Sequence, residues 1–340
     1  MEIIKEVYGH MADDLSKQIF VDRLCYSVTK DFAYIRKVVL TTEEGVELHN
    51  WLKANDDCIY IYGAGEQGER IGRIFSDINW SGYIDGVKEG QCNGRKIYRM
   101  HEISNCQQTN VLISCYFEAE IIKKQLMDCG FLPENIVVLN ELDRRLEAKQ
   151  YFEDFLNVKD GTMIDAGGYD GEEVIKYLRF VCDNNRKFYV FEPDANNFEK
   201  CKKKLQQYAN GRIFNMALGD RECVMKFDQR GNTSSRFSEN GIEEVKVTTV
   251  DALNEKVCFL KADVEGAEKE MLIGASETIK VYKPNLALSA YHKEEDIWEL
   301  PQILLSLNPN YKFYIRHYNI GEWETVLYAV DDESKRGFDK

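Results

Sequence analysis

The sequence predicts an α/β fold: two Rossmann-like sheets in tandem, preceded by a helical segment and closed by an antiparallel terminal hairpin. Three observations predict it. Short β-rich runs alternate with helical stretches through most of the 340 residues. Two of those runs, CIYIY at 58–62 and TMIDA at 162–166, open directly into a glycine turn and a helix. The last two runs, YKFYIRH at 311–317 and ETVLYAV at 324–330, are joined only by the short stretch YNIGEW, as a hairpin requires.

Composition bounds the rest. A chain of 340 residues suits two domains, and 44% hydrophobic residues with 19 Tyr and 17 Phe can fill two cores. The net charge of −14 repels phosphate backbones, so nucleic acid is not an expected partner. The 10 cysteines form no C-x-x-C pair and lie beside no His at zinc-ligand spacing. Unpaired thiols in that number point to a reducing compartment, so a cytoplasmic location is expected. The start, MEIIKEVYGHMADDL, has no basic region followed by an apolar run, and no signal peptide is expected. No apolar stretch approaches the roughly 18 residues of a membrane span.

In chain order, residues 1–55 read as a helical segment. Phe20, Leu24 and Val28 repeat at four-residue spacing, and Ile35, Val38 and Val39 continue the apolar pattern. The segment is assigned to packing, with a contribution to a homo-oligomer or cover for an active site as alternatives. Residues 56–145 read as a small Rossmann-like domain of nucleotide-binding type: CIYIY, the glycine turn, a helix, SGYIDG, VLISCY at 111–116, a helix from about Glu118 to Cys129, and NIVVLN. A charged helical bridge, ELDRRLEAKQYFEDFL, leads to the domain at 150–335. There the pattern restarts with TMIDA, FYVFE, RIFNMAL, VCFLKAD and NLALSAY as strands, interrupted by VMKF and VKVTTV as an antiparallel pair around a polar loop.

The first glycine turn, Gly63-Ala64-Gly65-Glu66-Gln67-Gly68, follows a strand and opens a helix, with Asp85 closing the next strand. That context suits a dinucleotide: close backbone approach, a helix N-terminus for pyrophosphate, an acid for ribose hydroxyls. Gly63, Gly65, Gly68 and Asp85 are therefore a candidate second nucleotide site. No catalytic His, Tyr–Lys pair or Cys accompanies it in 86–142. A fold that keeps the turn only for packing is the alternative.

The second turn is different. Asp165-Ala166-Gly167-Gly168-Tyr169-Asp170-Gly171 is D-x-G-x-x-x-G. S-adenosylmethionine carries a sulfonium and an ammonium and no pyrophosphate, and a carboxylate beside the loop suits that cation. Asp165, Gly167, Gly168, Tyr169 and Gly171 are the expected contacts at its methionine end. Glu192, closing FYVFE, is the expected acceptor of both ribose hydroxyls. Asn215 is a candidate for the adenine edge. A nicotinamide ligand on the same turn is the alternative.

A third element narrows this. Lys261-Ala262-Asp263-Val264-Glu265-Gly266-Ala267-Glu268 places four ionisable groups at a strand–helix junction, and open α/β sheets bind ligands at the carboxyl ends of their strands. Asp263 and Glu265 are expected to face the crevice. Glu268 reads either as part of the site or as a first-turn carboxylate favoured by the helix dipole.

D-x-G-x-x-x-G, then F-E-P, A-L-G-D and K-x-D-V-E-G-A-E together resemble the FkbM-type methyltransferase family over about 155–330. The stretches YHKEEDIWELP, YKFYIRHY and ETVLYAV resemble a subgroup in which a small Rossmann-like domain precedes the enzyme. The resemblance implies a class I Rossmann-like methyltransferase fold, S-adenosylmethionine as cofactor, and O-methylation of a hydroxyl on a sugar, a sugar nucleotide or a related small metabolite. The family's turn more often carries Ala and Asn where Gly168 and Tyr169 stand, so Tyr169 is expected to alter how the loop meets the methionine end.

Methyl transfer to an alcohol needs a positioned nucleophile and a proton acceptor. His292, which follows NLALSAY at the same crevice, is the expected base, with Asp263 and Glu265 as rivals. Asp263, Glu265 and His292 holding a divalent cation that polarises the hydroxyl is the alternative. The Asn232-Thr233-Ser234-Ser235 loop is a candidate for sugar contact. Arg316 reads as a partner for an anionic substrate or as a structural salt bridge, with His317 beside it. A nicotinamide-dependent oxidoreductase and a non-catalytic scaffold in glycan assembly are the rival functional classes.

Overall fold

The computed structural model describes residues 2–228, 236–237 and 243–331. The chain divides into two compact units, and the division is not sequential. One comprises Val21–Lys149 with His317–Trp323; the other comprises Met1–Phe20, Gln150–Arg316 and Glu324–Lys340.

The chain opens with four helices: α1 (Glu2–Gly9), α2 (Asp14–Thr29), α3 (Phe32–Val39) and α4 (Glu43–Ala54). The side chain of Asp31 caps α3 by accepting from the N–H of Ala33, and Thr42 caps α4 by accepting from Gly45.

In the Val21–Lys149 unit the strands are β1 (Ile59–Tyr62), β2 (Gly82–Ile84), β3 (Gln91–Cys92), β4 (Arg95–Tyr98), β5 (Asn110–Ile113) and β6 (Ile136–Val138). They form one sheet in the order β3-β4-β2-β1-β5-β6. All pairings are parallel except β3 with β4. The helices α5 (Glu66–Ile74), α6 (Ala119–Asp128) and α7 (Leu139–Glu147) alternate with the strands. Ile84, Val111, Ile113, Leu126 and Phe131 are buried together in its core. This is the Rossmann-like arrangement that the sequence predicts.

The second unit holds a seven-stranded sheet in the order β16-β17-β15-β14-β7-β8-β9. Its members are β7 (Thr162–Ala166), β8 (Phe188–Phe191), β9 (Gly211–Phe214), β14 (Val257–Ala262), β15 (Asn285–Ser289), β16 (Tyr311–His317) and β17 (Thr325–Asp331). β7, β8, β9, β14 and β15 are mutually parallel, and β17 runs antiparallel to β15. A second sheet in the order β10-β13-β11-β12 contains β10 (Ala217–Leu218), β11 (Cys223–Asp228), β12 (Arg236–Phe237) and β13 (Glu243–Thr248). The helices are α8 (Glu172–Phe180), α9 (Ala195–Leu205), α10 (Glu268–Ile273), α11 (Ser276–Tyr282) and α12 (Asp296–Leu307).

Residues from the amino-terminal segment complete this unit. Met11 pairs with Phe313 in a parallel bridge, Ala12 N donates to Phe313 O at 2.8 Å, and Phe313 N donates to His10 O at 3.0 Å. These bonds give partners to β16, the last strand of the sheet, which would otherwise present free backbone groups.

Three local readings are corrected. RIFNMAL is not one strand: it breaks at Asn215–Met216 into β9 and β10, which join different sheets. The helical bridge ends at Glu147, and residues 150–156 are irregular, with Tyr151 at φ 71°. The helix after Glu268 is two helices, interrupted at Gly274 and Ala275. Among the described residues no helix is long and apolar enough to cross a membrane, and the ten cysteines are unpaired.

Candidate functional site

In the larger sheet the strand order reverses between β7 and β14, and the crevice above their carboxyl ends is where an open α/β sheet takes its ligand. Four loops meet there: those after β7, β8, β14 and β15.

The turn after β7 is shaped by its neighbours. Gly167 has φ +79°, and a Cβ at that position would fall 1.8 Å from the carbonyl oxygen of Asp263. Glycine therefore lets the loops after β7 and β14 touch. Gly168 faces Val190 and Gly171 faces Leu205. The sequence reading gave these glycines to close approach by the methionine moiety; in the structure their missing side chains make room for the protein itself. Tyr169 is left-handed at φ 47° and 43% exposed, with the Lys200 ammonium 5.3 Å from its ring centre.

Asp165 is fully buried, and Lys261 Nζ lies 3.1 Å from its Oδ1 and 2.7 Å from the carbonyl oxygen of Gly167. Burial opposes a charge on Lys261, but Asp165, Asp263 and Glu173 outweigh it and hold the lysine protonated. Asp165 Oδ2 is buried without a hydrogen-bond partner. Sequence reading missed Lys261 as the counter-charge, because a lysine inside a strand reads as an interruption.

Glu192 is buried at the end of β8. Its Oε2 accepts from Tyr169 N at 2.8 Å and its Oε1 from Asp194 N at 2.9 Å. Burial pushes its carboxyl up to about 7, against those two bonds. Each oxygen retains a lone pair for a further donor. The amide of Asn215 donates to the carbonyls of Glu192 and Pro193 at 2.9 and 3.0 Å, so its N–H groups fix the loop after β8 and its Oδ1 is the atom for the expected adenine edge.

The loops after β14 and β15 bring Asp263, Glu265, Glu268 and His292 together. His292, 10% exposed, holds Glu268 Oε1 at 2.9 Å on Nδ1. Its Nε2 faces Asp263 Oδ1 at 3.5 Å and Glu265 Oε2 at 3.7 Å. Glu268 is fully buried and also accepts from Val264 N at 3.0 Å. Burial would lower the imidazole's pKa, but the bond to Glu268 and the charges of Glu268, Asp263 and Glu265 push it up to about 10. The carboxylates around it thus favour the protonated imidazole, and the expected role of His292 as general base stands beside the rival readings of Asp263 and Glu265. Asp263, Glu268 and His292 each offer a donor atom within 4.8 Å of the others, the spacing of a metal-ligand group.

Tyr151 is a functional candidate that sequence reading missed. It is 3% exposed, and its hydroxyl donates to Asp263 Oδ2 at 3.1 Å and lies 3.3 Å from Ser289 Oγ. Its neighbour Gln150 donates to Glu324 at 2.6 Å, and Tyr291 reaches the same carboxylate at 3.0 Å. The signal was absent because residues around 150 read as a charged helix.

Other candidates fall elsewhere. In the Val21–Lys149 unit, Asp85 Oδ2 accepts from Ala64 N, and its Oδ1 accepts from Val87 N and Lys88 N, each at 2.8 Å. Lys88 Nζ donates to Ala64 O at 3.0 Å. Asp85 thus ties the glycine turn to the loop after β2. Gly63 packs on Ser114 and Cys115, and Gly68 on the carbonyl of Gly63, whereas Gly65 faces open space. The first turn of α5 carries Glu66 and Glu69, the wrong sign for a pyrophosphate. Arg316 pairs with Asp13 at 2.7 Å, the structural reading of that residue. His317 is buried, and burial and the charge of Arg23 drive its pKa down to about 3. Asn232, Thr233, Ser234 and Ser235 lie outside the described residues.

Residues 165–315 match the family model of the methyltransferase FkbM domain. Among curated proteins none matches the sequence. Among solved structures, the chain is similar to a methyltransferase FkbM from Methylobacillus flagellatus KT, at 15% identity and a TM-score of 0.53, covering 93% of this chain and 99% of that one. That likeness establishes a shared fold. More distant are a SAM-dependent methyltransferase from Aquifex aeolicus, 13% identical at a TM-score of 0.31 over 52% of this chain and 85% of that one, and Aeropyrum pernix fibrillarin with natively bound S-adenosyl-L-methionine, 11% identical at 0.35 over 55% and 74%.

Proposed function

We propose that this chain is an S-adenosylmethionine-dependent enzyme that methylates a hydroxyl of a sugar, a sugar nucleotide or a related small metabolite; the match of residues 165–315 to the model of the methyltransferase FkbM domain supports the reading. The observation that carries the acceptor class is the half-buried group Asp263–Tyr151–His292–Glu268 at the mouth of the crevice. A hydroxyl must lose a proton as it is methylated, and Asp263 is the group placed to take it. Its Oδ2 is aligned by the Tyr151 hydroxyl, and the imidazole of His292 lies 3.5 Å from its other oxygen.

The residues fit the cofactor. When bound, S-adenosylmethionine supplies a methyl group on positively charged sulfur. The carboxylates of Glu192 and Asp263, with Asp165 buried behind them, suit a cationic ligand. Glu192 accepts ribose hydroxyls on the lone pairs that Tyr169 and Asp194 leave over. Asp165, paired with Lys261, is a buried anchor for the turn after β7. Tyr169 covers the loop from the solvent side. The first glycine turn, at Gly63, Gly65 and Gly68, is assigned to packing.

The test uses S-adenosylmethionine labelled in the methyl group and a panel of free sugars, nucleotide sugars and small alcohols. With the acceptor that turns over, and at saturating S-adenosylmethionine, Asp263→Asn is expected to lower the rate about 10²-fold or more. Undiminished turnover by Asp263→Asn would remove Asp263 from the mechanism. Methyl transfer confined to amines or carbon acids would overturn the hydroxyl class.

A further inference from the structure

We propose that His292, Asp263 and Glu265 form a divalent-cation site, with Glu268 as the carboxylate that orients the imidazole.

The imidazole is locked from behind. His292 Nδ1 is bonded to Glu268 Oε1 at 2.9 Å, and Glu268 is fully buried and also held by Val264 N. A carboxylate on one ring nitrogen fixes the ring and leaves the other nitrogen for a metal, the usual arrangement behind metal-bound histidines. That other nitrogen, Nε2, faces Asp263 Oδ1 at 3.5 Å and Glu265 Oε2 at 3.7 Å. Both separations are long for a hydrogen bond. Donors about 2.1 Å from one ion sit roughly 3.0–3.5 Å from each other, so these gaps are close to the edge of a coordination shell.

A second observation points the same way. Asp263 Oδ1 and Glu268 Oε2 are buried oxygens without a hydrogen-bond partner. Buried carboxylate oxygens are costly unless paired with a donor or a cation. Tyr151 satisfies only Oδ2 of Asp263. The lysines nearby are engaged: Lys261 with Asp165 at 3.1 Å and Lys293 with Glu270 at 3.9 Å. Three carboxylates therefore share one imidazole as their counter-charge, and the cluster keeps an excess of negative charge.

One imidazole with carboxylate oxygens suits a borderline-hard ion such as Mn²⁺ or Mg²⁺. At this place the ion polarises the acceptor hydroxyl, lowering the cost of its proton loss to Asp263. That role rests on the methyltransferase reading, whereas the site itself does not.

The test is titration of Mn²⁺ into the full chain, stripped with EDTA and desalted, followed by the electron paramagnetic resonance signal of free Mn²⁺. No other ligand is present. One Mn²⁺ per chain is expected, and His292→Ala and Asp263→Asn each weaken it at least about tenfold. Glu265→Gln, at a partly exposed side chain, weakens it with the far-ultraviolet circular dichroism unchanged. No Mn²⁺ bound at millimolar concentration, or binding indifferent to all three substitutions, overturns the site. Calorimetric titration of S-adenosylmethionine on the same stripped protein separates the two claims. S-adenosylmethionine binding without Mn²⁺ binding overturns the cation site alone. Mn²⁺ binding without S-adenosylmethionine binding supports the site and counts against the methyltransferase reading.

Discussion

At the scale of single residues, the site is governed by which charges are already paired. His292 was legible from sequence as a histidine at a strand end. Its chemistry was not, because Glu268 sits 24 positions earlier and meets it only through the fold. The consequence is a pH signature. The folded-state pKa of about 10 lies above the ordinary value of 6.5. Protonation therefore stabilises the folded protein; the contribution is complete below about pH 6.5 and is lost as pH rises through about 10. In EDTA, thermal midpoints of the wild type and His292→Gln are expected to differ more at pH 6.5 than at pH 10. A gap that is equal or wider at pH 10 would show that the imidazole is not held charged by its carboxylates. Lys261 and Asp165 teach the same lesson: sequence offered Asp165 as a lone carboxylate, and the fold supplies its counter-ion from the neighbouring strand.

At the scale of elements, the sequence located the turns and misread what some of them do. D-x-G-x-x-x-G does follow β7 and precede α8, since strand, glycine and helix signals are local. Why glycine is needed there is not local. At Gly167 the nearest obstacle is the carbonyl of Asp263, nearly a hundred residues away along the chain. Gly167→Ala adds strain at φ +79° and drives Cβ into that backbone, so a loss of about 2 kcal/mol or more is expected. Chemical denaturation would measure it, and a variant as stable as the wild type would mean that the two loops separate freely. Asp85 also meets a partner that sequence does not show: its Oδ2 accepts from Ala64 N, across the turn. The same holds for Tyr151: charged neighbours gave the stretch a helical look, and its left-handed backbone and contact with Asp263 leave no local mark.

At the scale of the whole molecule, the α/β class and the order of strands and helices were readable because the alternation of apolar runs and helical periods repeats along the chain. The composition of the two units was not readable. Residues 2–20 read as part of a helical segment, yet they cluster with the unit that holds the seven-stranded sheet, and 317–323 cluster with 21–149. The edge of β16 shows why: His10, Met11 and Ala12 bond to Phe313 through backbone groups, which carry no sequence signature. Ser16 Oγ accepts from Ile315 N at 3.0 Å, and Asp13 pairs with Arg316 at 2.7 Å. Deleting residues 1–20 is therefore expected to lower the thermal midpoint by several degrees and to leave a more aggregation-prone sheet edge. An unchanged midpoint with no gain in aggregation would show that the edge needs no cover.

The central claim is the cofactor and its seat. Calorimetric titration of S-adenosylmethionine and S-adenosylhomocysteine into the wild type and into Glu192→Ala tests it most directly. Saturable binding at about one site per chain, weakened about tenfold or more in Glu192→Ala, is the predicted result. A folded wild type that binds neither compound, or a Glu192→Ala variant that binds both as tightly as the wild type, would contradict the account.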